Sequence, residues 1–178
     1  REIAELLALD LVSKKLVSEQ LVLTIGYDIE NVTDDYNGSV TIDYYGRAIP
    51  KHAHGTINLE YKTSSSKIIT EAMIKLYDEI INPKLSVRRV TMAATKLASE
   101  EEEKGKVRCR QLDLFSSLDD ENNKLDYDRE ALKEENNLQN AMLKIKEKYG
   151  KNAILKGMDL EDGATTMDRN RQIGGHHE

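Results

Sequence analysis

The chain has 178 residues, a length that fits one domain or a small domain plus an appendage. It is 39% apolar and 33% charged, with a net charge of −6, which predicts a soluble protein with a modest core. No apolar run approaches the roughly 20 residues that cross a bilayer, which argues against a membrane protein. The single cysteine excludes an internal disulfide framework and fits a reducing, cytoplasmic environment. Arginine at position 1, with no signal peptide before it, suggests a fragment of a longer chain.

The charge is distributed unevenly along the chain. Residues 1–97 carry 12 Lys and Arg against 13 Asp and Glu, whereas the remainder carries 14 against 19. Residues 1–97 are therefore nearly neutral, and a local basic patch on them can bind polyanions although the whole chain is acidic. Residues 47–67 form such a patch, with four basic side chains, one acidic side chain and two histidines. Its basic and imidazole side chains are Arg47, Lys51, His52, His54, Lys62 and Lys67.

The first 50 residues predict a helix, a strand and a polar excursion. Apolar residues recur every four positions and predict a helix over residues 1–15. Alternating apolar residues in LVLTIGY predict a strand over residues 21–27 with one well-packed face. Residues 31–50 are mostly polar, and Asn37-Gly38 is a turn signal that predicts a minor hairpin there.

A second strand, a second helix and a third strand follow. The strand predicted over residues 53–62 alternates small or apolar residues with polar ones. Thr63-Ser-Ser-Ser offers a helix N-cap, and Asn82-Pro83 ends that helix. LSVRRVTMAAT predicts the third strand, over residues 85–95. The outward residues of these two strands define what we call the polar face: His52, His54, Thr56, Asn58, Glu60, Lys62, Arg89, Thr91 and Thr95.

The order helix, strand, strand, helix, strand predicts an α+β fold in which two helices cover one face of a three-stranded sheet. The polar face is then left without a covering layer. Two interpretations remain open for it: simple hydration, or contact with a nucleic-acid backbone.

The chain changes character after residue 97. Residues 98–125 are predicted to be an acidic linker that carries the short motif QLDLF. Residues 126–178 are predicted to be a polar helix, up to residue 149, and a glycine-containing tail that is docked or disordered. The helix carries an apolar stripe too thin for a globular core. That stripe consists of Leu132, Leu138, Met142, Ile145 and Tyr149.

QLDLF places three large apolar side chains inside a polar linker. Such a segment recovers its ordering entropy only by folding back onto its own domain or by binding a partner surface. The motif is similar to the peptide by which bacterial proteins bind the replication sliding clamp, the β clamp. That likeness implies that the glutamine enters a polar pocket while leucine and phenylalanine fill a hydrophobic cleft. The motif residues are Gln111, Leu112, Asp113, Leu114 and Phe115.

Residues 1–97 resemble the little-finger domain of Y-family DNA polymerases, most closely the UmuC-like translesion polymerases of Gram-positive bacteria. The resemblance is carried by DLVSKKLVSEQLVLTIGYDIEN, YGRAIPKHAHGTINLEYKTSSSKIITEA and VRRVTMAAT, and KYGKNAILKGMDLEDGATTMDRNRQIGGH is similar to that group's C-terminal tail. It implies a βαββαβ little finger whose sheet lies in the major groove of primer–template DNA. Because the sequence begins inside the first helix, the first of those strands is expected to be missing from it.

The resemblance also implies a function, the gripping of DNA and tethering to the clamp by an error-prone translesion polymerase in DNA repair and the SOS response. The family's catalysis uses carboxylates and two magnesium ions in a palm domain upstream. Nothing in this chain matches that palm, so the chain alone is not expected to polymerise or to hold a cofactor. A partner for the C-terminal tail is not indicated.

Carried over onto this sequence, the expected DNA contacts fall on three segments. His52, His54 and Thr56 lie on the second strand, and Arg88 and Arg89 open the last one. Phosphate contacts of this kind position DNA without reading its sequence. A helix start that accepts a phosphate is formed by Ser64, Ser65, Ser66 and Lys67.

Simpler interpretations of these residues stay open. The serines alternatively only cap the helix, and Arg88 alternatively only covers the end of the sheet. His52 and His54 form a poor metal pair, because no third ligand is nearby in the sequence.

Two other functions compete with the polymerase interpretation. The chain could be a non-enzymatic adaptor that binds the clamp, which an upstream palm with paired acidic residues would exclude. It could also be an RNA-binding α+β domain, which is disfavoured because the strands lack an aromatic platform for stacking bases.

Overall fold

The computed structural model describes residues 1–104 and 118–172, with side chains for residues 1–103 and 130–172. The QLDLF motif, residues 111–115, lies outside the described residues. The helices are α1 (Glu2–Ser13), α2 (Ser66–Ile80), α3 (Glu100–Lys104), α4 (Leu118–Tyr149) and α5 (Thr166–Arg171). The strands are β1 (Leu16–Tyr27), β2 (Val40–Ile42), β3 (Ala48–Pro50), β4 (Ala53–Thr63) and β5 (Val87–Ser99).

A three-stranded antiparallel sheet has β1 at its centre, between β4 and β5. Leu23 of β1 pairs with Gly55 of β4 and with Met92 of β5, which sets the register. Alternate residues of β1 are buried from Leu21 to Tyr27, as the period of two in the sequence predicted. Strand β1 begins five residues before the predicted start, and β5 both begins and ends later than the predicted range of residues 85–95.

Helices α1 and α2 pack side by side on one face of this sheet, which confirms the predicted α+β architecture. Gly55 allows α2 to approach closely, because a Cβ at that position would lie 2.9 Å from Cδ1 of Leu76 and 3.0 Å from Cγ2 of Ile80. The buried core is formed by Ala4, Ala8, Leu11, Leu21, Leu23, Ile25, Tyr27, Leu59, Ile69, Met73 and Leu76.

The N-terminus of α2 is capped as the serine-rich segment predicted. Ser65 is the N-cap, and its hydroxyl accepts a hydrogen bond from the backbone N–H of Ile68 at 3.3 Å. At the other end, α2 stops at Ile80, two residues before Asn82-Pro83. The cap and the stop were therefore both visible in the sequence.

The turn predicted at Asn37-Gly38 is wrong, because the hairpin lies further along the chain. Strands β2 and β3 pair Val40 with Pro50, so the chain reverses between Asp43 and Arg47. The carboxylate of Asp43 accepts hydrogen bonds from the backbone N–H groups of Tyr45 at 2.8 Å and Arg47 at 2.9 Å. This side chain sets the turn.

Helix α4 begins at Leu118 rather than near residue 126, and its predicted apolar stripe coincides with the packed face only in part. Of the stripe residues, Met142 is buried, and Leu132 and Ile145 are half-buried. Leu138 and Tyr149 are 59% and 67% exposed. Among the described side chains of α4, the buried ones are Gln139 and Met142, so the packed face there is partly polar. No helix among the described residues is both long and apolar enough to span a membrane.

The C-terminal tail, residues 150–172, is docked on α1, which was one of the two alternatives left open. The side chain of Arg169 contacts Glu2 at 2.7 Å, and that of Lys156 contacts Glu5 at 2.8 Å. The backbone N–H of Thr165 also donates to Glu2, at 3.1 Å. Polar contacts to two glutamates of α1 therefore hold the tail.

Candidate nucleic-acid interface

The polar face is the side of the sheet opposite α1 and α2. It is exposed along β4, where His54, Thr56 and Asn58 alternate with residues that face the core. Strand β1 completes it with side chains that the sequence analysis did not single out. Its cross-strand rows are His54–Thr24–Thr91, Thr56–Val22–Ala93 and Asn58–Gln20–Thr95.

Side-chain hydrogen bonds order two of these rows. Gln20 donates from Nε2 to Oδ1 of Asn58 at 2.9 Å and accepts at Oε1 from the hydroxyl of Thr95 at 3.0 Å. In the first row, the hydroxyl of Thr24 lies 3.0 Å from Nδ1 of His54. These contacts orient the amide and the imidazole while both rows stay accessible to solvent.

A basic cluster lies at one end of the polar face. Ile25 pairs with both Ala53 and Val90, so the starts of β4 and β5 meet at the same end of the sheet. Lys51, Arg88 and Arg89 are exposed there, and none of them forms an ion pair with another of the described residues. His52 is also exposed at this end.

The pairing of β1 with β5 shifts register next to this cluster. Gly26 pairs with Arg89 and Tyr27 pairs with Val87, which leaves Arg88 without a partner at the shift. An extra residue of this kind redirects neighbouring side chains. Arg88 and Arg89 therefore lie at the start of β5, where its regular pairing with β1 is interrupted.

Arg47 lies in the β2–β3 turn and is engaged locally. Its guanidinium contacts Asp43 at 2.7 Å and lies 5.1 Å from the ring centroid of Tyr45. The pKa of Asp43 is lowered, first by the backbone N–H of Arg47 and then by its side chain. Tyr44 and Tyr45 themselves are 96% and 76% exposed, and the sequence analysis overlooked them.

The opposite end of the sheet holds the remaining predicted contacts, about 26 Å away from His54 along β4. Lys62 forms an ion pair with Glu103 at 3.0 Å. Ser64, Ser65 and Ser66 are only 5–9% exposed. Lys62 is therefore paired within the chain, and the three serines are buried.

Helix α4 covers the three serines. Glu135 accepts hydrogen bonds from the hydroxyl of Ser65 at 2.6 Å and of Ser66 at 2.9 Å, and from the backbone N–H of Lys67 at 3.0 Å. Gln139 donates to the backbone carbonyl of Ser64 at 3.2 Å. The predicted phosphate contact at the start of α2 is thus occupied by a carboxylate.

Apart from Arg47, whose guanidinium binds Asp43, the structure divides the predicted site residues into two groups. The exposed group on the polar face and its basic end is Lys51, His52, His54, Thr56, Arg88 and Arg89. The group engaged with Glu103 or α4 is Lys62, Ser64, Ser65 and Ser66. Lys67 joins them, since its backbone binds Glu135 while its side chain is exposed. No residue near the serines in the sequence indicates that Glu135, 70 residues after Ser65, binds them.

Among the described residues, no group of three or more His, Cys, Asp or Glu side chains could hold a metal ion. His52 and His54 are both exposed, and the ring contact of His54 is with a threonine hydroxyl. The described part of the chain thus offers polar and basic contacts to a ligand and no metal centre.

Comparison with known proteins agrees with this arrangement. A family described as the impB/mucB/samB family C-terminal domain matches residues 1–114, more than half of the chain. The chain belongs to this family. The matched part is the DNA-binding C-terminal domain of a Y-family translesion DNA polymerase. A search of curated proteins found no match.

Proposed function

We propose that this chain grips primer–template DNA and tethers a UmuC-like polymerase of the Gram-positive type to the sliding clamp, in the cytoplasm during the SOS response. The observation that carries the DNA-gripping part is the exposed polar face with its basic end. Its side chains offer hydroxyl, amide, imidazole and guanidinium donors on a rigid sheet. QLDLF supports the clamp-tethering part, through its likeness to clamp-binding peptides.

The chemistry of the polar face suits contact with a DNA backbone. Phosphate oxygens accept hydrogen bonds from hydroxyl, amide and guanidinium groups and carry no sequence information. Thr56 and His54 of β4 lie in adjacent rows of the polar face, and Arg89 lies near the start of β5, on the other side of β1. Such a surface grips regular and distorted templates alike, as a translesion enzyme requires. Catalysis itself we assign to the parent polymerase's palm.

The salt dependence of DNA binding tests this proposal. Neutralising roughly three to five phosphates gives a log–log slope of about −3 to −4 for the affinity against salt concentration. We expect this slope for the whole chain with a primer–template duplex, measured by fluorescence anisotropy. An affinity that does not change with salt, or a strong preference for one sequence, would contradict the proposal.

Charge removal at two places on the surface locates the contact. Arg88→Gln with Arg89→Gln removes two exposed charges at the basic end and should flatten the slope by about one to two. Lys75→Gln removes one exposed charge on α2, away from the polar face, and should leave the slope unchanged. Equal slopes for both variants would place the DNA elsewhere on the molecule.

A further inference from the structure

The first turn of α2 holds a carboxylate in the manner in which helix starts hold phosphates. The α2 seat, as we call it, consists of the hydroxyls of Ser65 and Ser66 and the backbone N–H of Lys67. All three donate to the single carboxylate of Glu135, at 2.6, 2.9 and 3.0 Å. Unpaired N–H groups and the positive end of the helix dipole favour an anion at this position.

The carboxylate comes from a distant element. Glu135 lies on α4, 70 residues after Ser65 in the sequence. Gln139, one turn further on, is 4% exposed and reaches the carbonyl of Ser64. Both side chains lie on the same side of α4, since they are four residues apart. The helix is therefore fastened across the start of α2 by polar contacts.

The packing beneath α4 is incomplete at this place. A cleft of about 450 Å³ opens between α4 and the end of β4, lined by Lys62, Ser64, Glu103, Lys133 and Asn136 among others. Helix α4 also packs against α1, but its contact with the start of α2 is polar and lies beside an open cleft. Such a contact can be opened at a lower cost than one buried in a dry core. Met142 is the one buried apolar residue among the described side chains of α4.

We propose that α4 is an autoinhibitory strap whose Glu135 competes with a DNA phosphate for the α2 seat. This inference rests on the proposed DNA-binding function. A carboxylate and a phosphodiester each carry one negative charge and accept the same hydrogen bonds, so the seat accommodates one of them at a time. With α4 in place, DNA contacts the polar face and its basic end only. With α4 displaced, the contact extends to the start of α2.

Acidic residues make the closed arrangement unfavourable for DNA at this end. Helix α3 carries four consecutive glutamates, Glu100–Glu103. Asn136 of α4 donates to Glu100 at 3.4 Å, and Lys62 is neutralised by Glu103. Like charges repel a phosphate backbone, so closing α4 both fills the seat and keeps negative charge beside it. By linkage, DNA that occupies the seat must weaken the docking of α4 to the same extent.

The test compares two variants of the whole chain that lose the same charge. Glu135→Gln replaces the anion in the seat with a neutral amide, and Glu134→Gln removes a neighbouring exposed carboxylate that no described contact uses. We expect primer–template DNA to bind Glu135→Gln at least about fivefold more tightly than wild type. Glu134→Gln should stay within about twofold of wild type. Because both variants lose one negative charge, a larger gain in DNA affinity for Glu135→Gln than for Glu134→Gln cannot arise from the overall charge alone.

Hydrogen exchange provides a measurement that does not depend on a variant. In wild type, saturating DNA should speed amide exchange in residues 130–149 while it slows exchange in β4 and β5. If DNA binds while α4 stays fully protected, or if both variants bind DNA with equal affinity, the autoinhibitory role of α4 is wrong. The proposed DNA-binding function would not be affected by either result. No binding by any of the three proteins at low salt would overturn both. Weaker binding by Glu135→Gln would show that Glu135 supports the site and would also overturn the strap.

Discussion

At the scale of single residues, Asp43 shows how one carboxylate sets a turn that local sequence signals misplaced. Asn37-Gly38 is the stronger hairpin signal by composition, yet the strands pair on either side of Asp43. The reason is that Asp43 satisfies two backbone N–H groups of the turn and also binds the guanidinium of Arg47. Gly46 supplies the positive φ of 78° that the turn needs.

This turn should be sensitive to acid. The pKa of Asp43 is lowered from its ordinary value of 3.8, chiefly by hydrogen bonds from Arg47. A carboxylate with a lowered pKa contributes stability above its unfolded-state pKa, and that contribution is lost as the pH falls through the folded-state value. We therefore expect the amide signals of Tyr45 and Arg47 to change together below pH 3.8 in an NMR titration. Asp43→Asn should abolish this step, and a midpoint above 3.8 would contradict the assignment.

At the scale of elements, Gly55 marks the closest approach of β4 and α2. A methyl group there would meet Leu76 and Ile80, and Leu76 is only 3% exposed, so it has little room to rotate. We expect Gly55→Ala to lower the free energy of unfolding by about 1–2 kcal/mol in urea denaturation. Gly157→Ala is the control, because no atom lies within 4 Å of its Cβ position. Equal stability of the two variants would show that the helix can shift away from the strand.

The docking of the C-terminal tail depends on one carboxylate of α1. Glu2 binds the guanidinium of Arg169 and both the N–H and the hydroxyl of Thr165. Because Glu2 and Arg169 are partly exposed, we expect Glu2→Gln to weaken the docking by only about 1 kcal/mol. Amide exchange should then speed up in residues 156–172 and stay unchanged in β1. Glu79→Gln, an exposed change on α2, should affect neither segment, and unaltered exchange after Glu2→Gln would show that other contacts hold the tail.

The elements that the sequence predicted well are those whose burial is decided locally. The alternation in β1 and β4 and the cap of α2 follow from neighbours one to four residues away. The packed face of α4 could be predicted in that way only in part, because Met142 of the apolar stripe is buried whereas Leu138 and Tyr149 are exposed. Its buried residue Gln139 and its contact residue Glu135 are polar, and their partners lie about 70 residues earlier. A hydrophobic stripe is therefore a poor guide where a helix docks through hydrogen bonds.

The same distinction explains how much of the candidate site was predicted. Exposure of His54, Thr56 and Arg89 follows from the strand period, and the structure agrees. Occupation of Ser65 and Ser66 by α4 depends on tertiary structure and has no signal near them in the sequence. Sequence reasoning therefore identified the chemistry of the serines, an anion contact, while the structure supplied an internal anion.

At the scale of the whole molecule, the two ends of the sheet differ in character. The end with Arg88 and Arg89 is basic and exposed, whereas the end where α2 begins carries α3 and α4. These two helices flank residues 105–117 in sequence, the stretch that contains QLDLF. A clamp-binding peptide attached at this end would leave the basic end available for DNA. In the proposed function, the DNA contact at the basic end and the attachment of the clamp-binding segment therefore lie at opposite ends of the sheet.

Clamp binding provides the last prediction. Leu114 and Phe115 should be the anchors, since apolar side chains that fill pockets supply most of the affinity of a small interface. Alanine at Leu114 or Phe115 should cost about 2 kcal/mol or more, which is roughly a thirtyfold loss of affinity. Asp113→Ala should cost little and is the matched control. The measurement is a calorimetric titration of purified sliding clamp with wild type and the three variants. If Phe115→Ala binds as tightly as wild type, QLDLF is not a clamp motif, and its apolar side chains must serve the chain's own domain.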